Sequence, residues 1–319
     1  MNNLTNVGKY IYIILLIFFI FPFDRLMGWT FCTPALALFT GLVFAFIFGI
    51  PFPKFNKKCS KYLLQISVVG LGFGMNFEES LQAGKDGMLF TIVSVVVVMV
   101  MAVLLGRYLK IDRKTSYLIG SGTAICGGSA IAAIGPVVKA DENQMAVSLG
   151  TIFMFNAVAL FIFPPIGHFF NLSDQQFGTW AAIAIHDTSS VVGAGAAYGN
   201  RALEIATLIK LTRALWIIPL AIFTTFYFKQ RSGKISIPWF ILFFIIAMLV
   251  NSYAGLPSQV SEWCVWLAKK GMVVTLFLIG SSLSIGVIKQ VGYKPILQGL
   301  LLWVVIGVGS LMAIVATLD

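Results

Sequence analysis

The sequence is poor in charge, in histidine and in paired cysteines, and each shortage argues against a class of protein. Only 11% of its 319 residues are charged, whereas soluble domains carry about 25%. Two histidines and four cysteines without a Cys-x-x-Cys pair argue against a structural zinc site and a disulfide framework. The GxxxxGK[ST] loop that cradles nucleotides is also missing. We therefore predict no metal, no other cofactor and no enzymatic activity.

Apolar residues fill the chain instead, at 59% of the total. Segments of about 20 apolar residues, the length of a membrane span, recur along the whole sequence. This pattern predicts an all-α polytopic membrane protein with about 11 transmembrane helices. The predicted spans lie near 8–22, 32–51, 59–77, 87–106, 115–137, 144–169, 178–199, 202–227, 237–253, 263–285 and 295–317. The first resembles a secretory signal, but we interpret it as a retained span because its nearest Ala-x-Ala site lies beyond Asp24 and Arg25.

The basic residues are distributed unevenly between the two sides of these spans. With the N-terminus inside, fourteen lysines and arginines fall on the cytoplasmic side and four to six outside, as the positive-inside rule requires. The prediction is a bacterial cytoplasmic (inner) membrane protein with its N-terminus inside and its C-terminus outside. The net charge of +10 is then explained without a nucleic-acid partner.

Two short stretches indicate a duplication. Leu-Ile-Gly-Ser occurs at 118–121 and again at 278–281, about half a chain apart. The offset predicts a leading helix over 1–27 and two five-helix repeats over 28–172 and 173–319, the second inverted because five is odd. A rival pairing of 63–84 with 273–292 stays open.

The stretch "SGTAICGGSAIAAIGP" at 121–136 has almost no large side chains. Exposed backbone at membrane depth survives only where it lines a cavity or is buried in protein, so we predict discontinuous helices over 115–137 and 271–290. Close packing of unbroken helices through small residues is the alternative. The predicted substrate-binding residues of these segments are Ser121, Thr123, Cys126, Gly127, Gly128, Ser129, Ser281 and Ser282.

Ionisable residues also fall inside predicted spans, where they are costly and usually functional. His186 and Asp187 are adjacent in one span, and Lys210 and Arg213 lie on one face of the next. The two cations need partners, which are either Asp187, in a structural ion pair, or a bound anion. Asn156 is also at mid-span, and we favour a hydrogen bond between helices over a place in the site.

Three blocks carry a resemblance to a known family: "GSGTAICGGSAIAAIGPVVKA", "HDTSSVVGAGAAYG" followed by "IKLTRALWIIP", and "GYKPILQG". Together they resemble the YeiH-like family of bacterial membrane proteins, which are named sulfate exporters. The resemblance implies the superfamily of bile-acid symporters and cation–proton antiporters. That fold has inverted five-helix repeats, two crossing discontinuous helices, and core and panel domains. The family more often has Glu after the histidine, where this chain has Asp187.

Two functions follow from these residues. The first is a secondary active transporter of a small anion, a sulfate-like oxyanion or a small organic acid, which Lys210 and Arg213 bind. His186 or Asp187 would couple it to protons or another ion such as sodium. The alternative is a cation–proton antiporter that uses Asp187. Two bases against one acid at membrane depth favour the anion. The partners of the protein would be the substrate and the lipid bilayer, and a homodimer is left open.

Overall fold

The computed structural model describes residues 2–23, 32–228, 239–282 and 292–318. Within these ranges the chain is helical and contains no strand. The helices are α1 (Asn2–Ile20), α2 (Pro34–Phe48), α3 (Pro53–Gly72), α4 (Phe77–Tyr108), α5 (Arg113–Ala124), α6 (Gly128–Val137), α7 (Glu142–Phe169), α8 (Asp174–Ala184), α9 (Thr188–Tyr198), α10 (Asn200–Leu215), α11 (Ile217–Tyr227), α12 (Trp239–Tyr253), α13 (Ser258–Gly280) and α14 (Tyr293–Thr317).

Several helices are long and apolar enough to cross a bilayer, as a polytopic membrane protein requires. The described residues include five such segments: Phe90–Tyr108, Glu142–Phe169, Asn200–Tyr227, Ser258–Gly280 and Tyr293–Thr317. The chain divides into two compact units. Unit 1 is Met1–Glu78 with Trp239–Ile285, and unit 2 is Glu79–Pro238 with Gly286–Asp319.

Unit 1 has an aromatic core and a tight helix crossing. The ring of Tyr12 lies 5.5 Å from the rings of Phe44 and Phe277. Helices α2 and α13 meet at glycines, because a Cβ on Gly41 would lie 2.5 Å from the carbonyl oxygen of Phe277. Small residues let membrane helices approach this closely.

Unit 2 contains two helical hairpins. In hairpin 1, residues 113–137, Asp112 caps α5 by accepting hydrogen bonds from the N–H groups of Lys114 and Thr115. The chain reverses at its tip, residues 125–127, where Gly127 has a positive φ of 61° that glycine adopts at little cost. Helix α6 then returns to the starting end, since Lys114 Nζ donates to the carbonyl of Lys139 over 2.7 Å.

Hairpin 2, residues 174–198, is built in the same way. A capping box between Ser173 and Gln176 starts α8, and Asp187 caps α9 after the break. Its tip is residues 185–187. The two ends lie together, because Tyr198 stacks on Phe177 with ring centroids 3.8 Å apart and donates its hydroxyl to the carbonyl of Leu172.

The two hairpins start from opposite ends of unit 2 and meet at their tips. Helix α7, 28 residues and about 42 Å long, leads from the base of hairpin 1 to the base of hairpin 2. Helices α10 and α11 lead back, and the hydroxyls of Tyr117 and Thr224 meet at 2.7 Å beside the base of hairpin 1. A Cβ on Gly127 would lie 3.4 Å from the backbone N and Cα of Asp187, so the tips are in contact.

This architecture revises two of the predicted spans. The segments 115–137 and 178–199 are not single spans, because each is a reversed pair of helices whose two ends lie together. The crossing of the discontinuous helices over 115–137 and 271–290 stays a prediction. The second predicted break is described only as far as 282, with 283–291 outside the described residues. The five-helix repeats are not confirmed, and the division at 1–27, 28–172 and 173–319 stays a prediction.

A shorter repeat is present instead, in which a hairpin followed by a long helix occurs twice within 112–227. The two tips match in sequence at an offset of 60 residues, since Ala124, Ile125 and Ser129 correspond to Ala184, Ile185 and Ser189. Because one long helix separates the hairpins, the second copy is inverted relative to the first.

Candidate functional site: the meeting point of two hairpin tips

Lys210 on α10 donates hydrogen bonds to carbonyls at the C-terminal end of α8. Its Nζ donates to the carbonyls of Ala182 at 3.2 Å and Ile185 at 2.7 Å. Trp303 Nε1 donates to the third carbonyl there, that of Ala184, at 3.1 Å. The last carbonyls of a helix have no partner within it and carry a partial negative charge. A lysine that is 0% exposed is therefore stabilised without a carboxylate.

Arg213, one turn further along α10, does the same for hairpin 1. Its guanidinium donates to the carbonyl of Ala124, the last residue of α5, and to Ser94 Oγ on α4 at 2.9 Å. It too is 0% exposed. Each buried cation thus covers the carbonyl end of one hairpin.

Neither cation forms the ion pair that the sequence left open. Within the part of the chain that the structure describes, no carboxylate lies within salt-bridge distance of Lys210 or Arg213. The physical reason is that each hairpin exposes backbone carbonyls at the depth of these side chains, and the carbonyls serve as the acceptors.

Asp187 lies at the tip of hairpin 2 and belongs to a local network. Its Oδ2 accepts hydrogen bonds from both the backbone N–H and the hydroxyl of Ser189. Its own backbone N–H donates to Asn156 Oδ1 on α7 over 3.0 Å. The side chain is only half-buried, so it is the accessible acid of the site.

The tip of hairpin 1 offers backbone donors. Gly127, the residue before α6, supplies no side-chain cap, so the first N–H groups of α6 keep their partial positive charge. Of the first two residues, Gly128 is half-buried and Ser129 is exposed. Cys126 is buried beside them.

Buried polar atoms without a partner concentrate near the tips. Among the described residues, hydrogen-bond partners are absent for Thr123 Oγ1, Asn156 Nδ2 and both ring nitrogens of His186. More than about 90% of buried polar groups in proteins are satisfied. Such a group of unsatisfied atoms is typical of a site that binds a polar ligand or ordered water.

The structure therefore brings most of the predicted residues together. Four predicted residues lie at the tips themselves: Cys126, Gly127, His186 and Asp187. Thr123, Gly128 and Ser129 lie within two residues of the first tip. Lys210 and Arg213 donate to the carbonyls of Ile185 and Ala124 at the ends of α8 and α5. Ser121 lies one turn before the break, and its hydroxyl donates to the carbonyl of Leu118 within α5. Ser281 and Ser282 belong to unit 1, where both hydroxyls donate to the carbonyl of Leu278.

Sequence reasoning missed three contributors, Ser94, Trp303 and the contact of Asn156 with Asp187. The matching tips at an offset of 60 residues were a signal that could have located the second hairpin.

The described residues hold no group of three metal-ligating side chains.

Comparison with known proteins identifies the family. A family model described as conserved hypothetical protein 698 matches residues 8–299. A UPF0324 membrane protein of Bacteroides thetaiotaomicron is 58% identical, covering 97% of this chain and 96% of its own. The chain belongs to the UPF0324 family. A second UPF0324 membrane protein, from Porphyromonas gingivalis, is 57% identical over 88% of this chain and 86% of its own.

A UPF0324 membrane protein of Bdellovibrio bacteriovorus is 43% identical over 98% of this chain and 95% of its own. No solved structure matches. The resemblance to the YeiH-like family is confirmed, and so is the membrane location. The names of these UPF0324 proteins state no substrate.

Proposed function

We propose that this UPF0324 protein is a secondary active transporter of a small anion, which binds where the two hairpin tips meet. The observation that carries the proposal is the charge at this point. The hairpins and the helix that binds them hold two fully buried bases, Lys210 and Arg213, and one half-buried acid, Asp187. An additional anion balances this arrangement, whereas an additional cation would not.

The cations retain hydrogen-bonding capacity for such an anion. A lysine ammonium has three donors and an arginine guanidinium has five. Lys210 Nζ donates to two carbonyls in the described part of the chain, and Arg213 Nε has no partner among the described residues. Hydrogen bonds from these groups to an oxyanion would be charge-assisted and therefore strong.

Asp187 supports coupling to protons. An anion about 4 Å from an ionised carboxylate is repelled by roughly 1–4 kcal/mol, depending on the effective dielectric constant. Protonation of Asp187 removes this repulsion, so the proton and the anion bind together. His186, the other predicted coupling residue, is fully buried at the same tip, so Asp187 is the better candidate for coupling.

The experiment is thermal unfolding of the purified protein with sulfate, acetate, sodium and potassium at several pH values. A site ligand at about 100 times its Kd stabilises the protein by about 2.7 kcal/mol. We expect an anion to stabilise the wild type more strongly at lower pH. Asp187→Asn should keep the stabilisation and lose its pH dependence, because the neutral amide imitates the protonated acid.

Stabilisation by sodium or potassium that disappears in Asp187→Asn would contradict the proposal and support the cation–proton antiporter instead. Glu204→Gln is the control: this acid lies elsewhere on α10, is partly exposed and is bonded to Arg201 at 3.3 Å, so its loss should leave the pH dependence unchanged.

A further inference from the structure

We infer that Asn156 is a direct ligand of the transported anion, with its Nδ2 donating a hydrogen bond to an oxygen of the substrate. This inference rests on the proposed function and adds to it a residue that recognises the substrate. A role for Asn156 in helix packing alone uses only one end of its amide.

The orientation of the Asn156 amide is fixed by its partner. The group at 3.0 Å is the backbone N–H of Asp187, which can only donate. The amide atom that faces it must therefore be the oxygen. The NH2 group is left as the free end, which is a hydrogen-bond donor.

That donor is buried and has nothing to bond. Asn156 is 5% exposed, and its Nδ2 has no partner in the described part of the chain. It lies next to the tip of hairpin 2, because the other end of the same amide contacts Asp187. An unmet donor in such a place costs free energy unless a ligand or a water fills it.

Other buried amides of the chain are different. In unit 1, Asn56 accepts from the Tyr12 hydroxyl and donates to Ser281 Oγ at 3.1 Å, so both of its ends are bonded. In unit 2, Gln298 Nε2 donates to the carbonyl of Ala102 at 2.9 Å and to Ser116 Oγ at 2.8 Å. Gln298 Oε1 has no partner among the described residues, but the NH2 groups of both amides are used by the protein itself, whereas that of Asn156 is not.

The chemistry of the free end selects the ligand. An NH2 group bonds to an acceptor such as a carboxylate or a sulfate oxygen and turns its positive edge toward a cation. Together with Asp187 in its protonated form, it offers a second donor from an independent helix. The predicted substrate is thus an anion with at least one oxygen that reaches α7.

Two substitutions at this position test the inference. Asn156→Asp keeps an oxygen for the Asp187 N–H and loses the donor, and Asn156→Ala loses both without adding charge. The affinity of the purified protein for sulfate and acetate is measured by titration calorimetry. We expect both variants to bind roughly ten- to hundredfold more weakly, as for a lost hydrogen bond to a charged group.

The matched control is Gln298→Ala, which truncates a buried amide whose donor is already used. It should lower the melting temperature and leave the affinity unchanged. If Asn156→Ala is not recovered folded, Asn156→Val, which is also neutral and has no side-chain donor, takes its place.

Wild-type affinity in the neutral variant would overturn the inference, because a loss confined to Asn156→Asp reports charge repulsion and not a missing donor. Failure of both anions to bind the wild type would contradict the proposed function itself. Weaker binding in both variants with an unchanged control supports the inference.

Discussion

The two hairpins of unit 2 have the same shape and different chemistry. In both, the first helix ends at an Ala-Ile pair, with Ile125 in hairpin 1 and Ile185 in hairpin 2. In both, a buried cation donates hydrogen bonds to the carbonyls at that end. Hairpin 1 continues with Cys126 and two glycines, which leave backbone groups open. Hairpin 2 continues with His186 and Asp187, two residues with ionisable side chains.

The difference indicates that the shared and the differing features of the hairpins have separate roles. The shared features solve a structural problem, since each tip leaves carbonyls that need donors at depth. The differing features are those that can act on a ligand. Under the proposed function, hairpin 1 supplies the first N–H groups of α6 and hairpin 2 supplies Asp187, so the site needs both hairpins.

The largest effect is expected from a test of sidedness. Cysteines placed at Lys114 and Lys139, at the base of hairpin 1, should react with an impermeant thiol reagent only from the inside. A cysteine at Asn171, at the base of hairpin 2, should react only from the outside. The measurement is labelling in oriented membrane vesicles, in a background in which the four native cysteines are replaced.

The reason is that both ends of each hairpin lie together and α7 separates the two bases. Moving Lys139 to the inside also sharpens the charge asymmetry, to fifteen basic residues inside against three to five outside. Labelling of the Lys114 and Lys139 positions from opposite sides would show that 115–137 is a straight span and that the two segments are not equivalent hairpins.

A smaller effect is expected from removing one cation at a time. Arg213→Met leaves the carbonyl of Ala124 without its donor, and Lys210→Met does the same to Ala182 and Ile185. Each should lower the free energy of unfolding by about 1–3 kcal/mol per orphaned group. Hydrogen exchange should rise mainly in hairpin 1 for the first variant and in hairpin 2 for the second.

Thr212→Val is the control for this pair, because Thr212 lies between the two cations and bonds only within α10, to the carbonyl of Ile209. Equal increases in both hairpins after either cation is removed would show that the assignment of one cation to one hairpin is wrong.

The smallest effect is expected at the glycines of hairpin 1. Gly127→Ala forces a residue with a Cβ into a φ of 61° and should cost about 1–3 kcal/mol. Gly128→Ala has an ordinary helical backbone, and its Cβ would meet only side chains, the Phe153 ring at 3.1 Å and Leu149 Cδ2 at 3.4 Å, so it should cost less. Thermal unfolding of the two variants gives the comparison, and an equal cost would mean that the turn at Gly127 is not the constraint.

Much of the site could be predicted from residue types alone. Glycines and small residues around Gly127 indicated a helix break, because few other sequences allow one at membrane depth. Lys210 and Arg213 were recognised as one buried face from their spacing. Their partners were not recognised, since carbonyls that become free at a break belong to no residue type and leave no trace in the sequence.

The sequence by itself determined the class of the protein, the apolar segments and the residues with unusual chemistry, since these depend on local composition. Only the tertiary structure decided that the broken helices reverse, that their tips meet, and that Asn156 keeps a free donor. A hairpin that reverses within the membrane and a straight helix that spans it contain the same glycine and the same apolar runs. The choice between them is made by contacts between distant residues, such as those of Lys114 with Lys139 and Gly127 with Asp187.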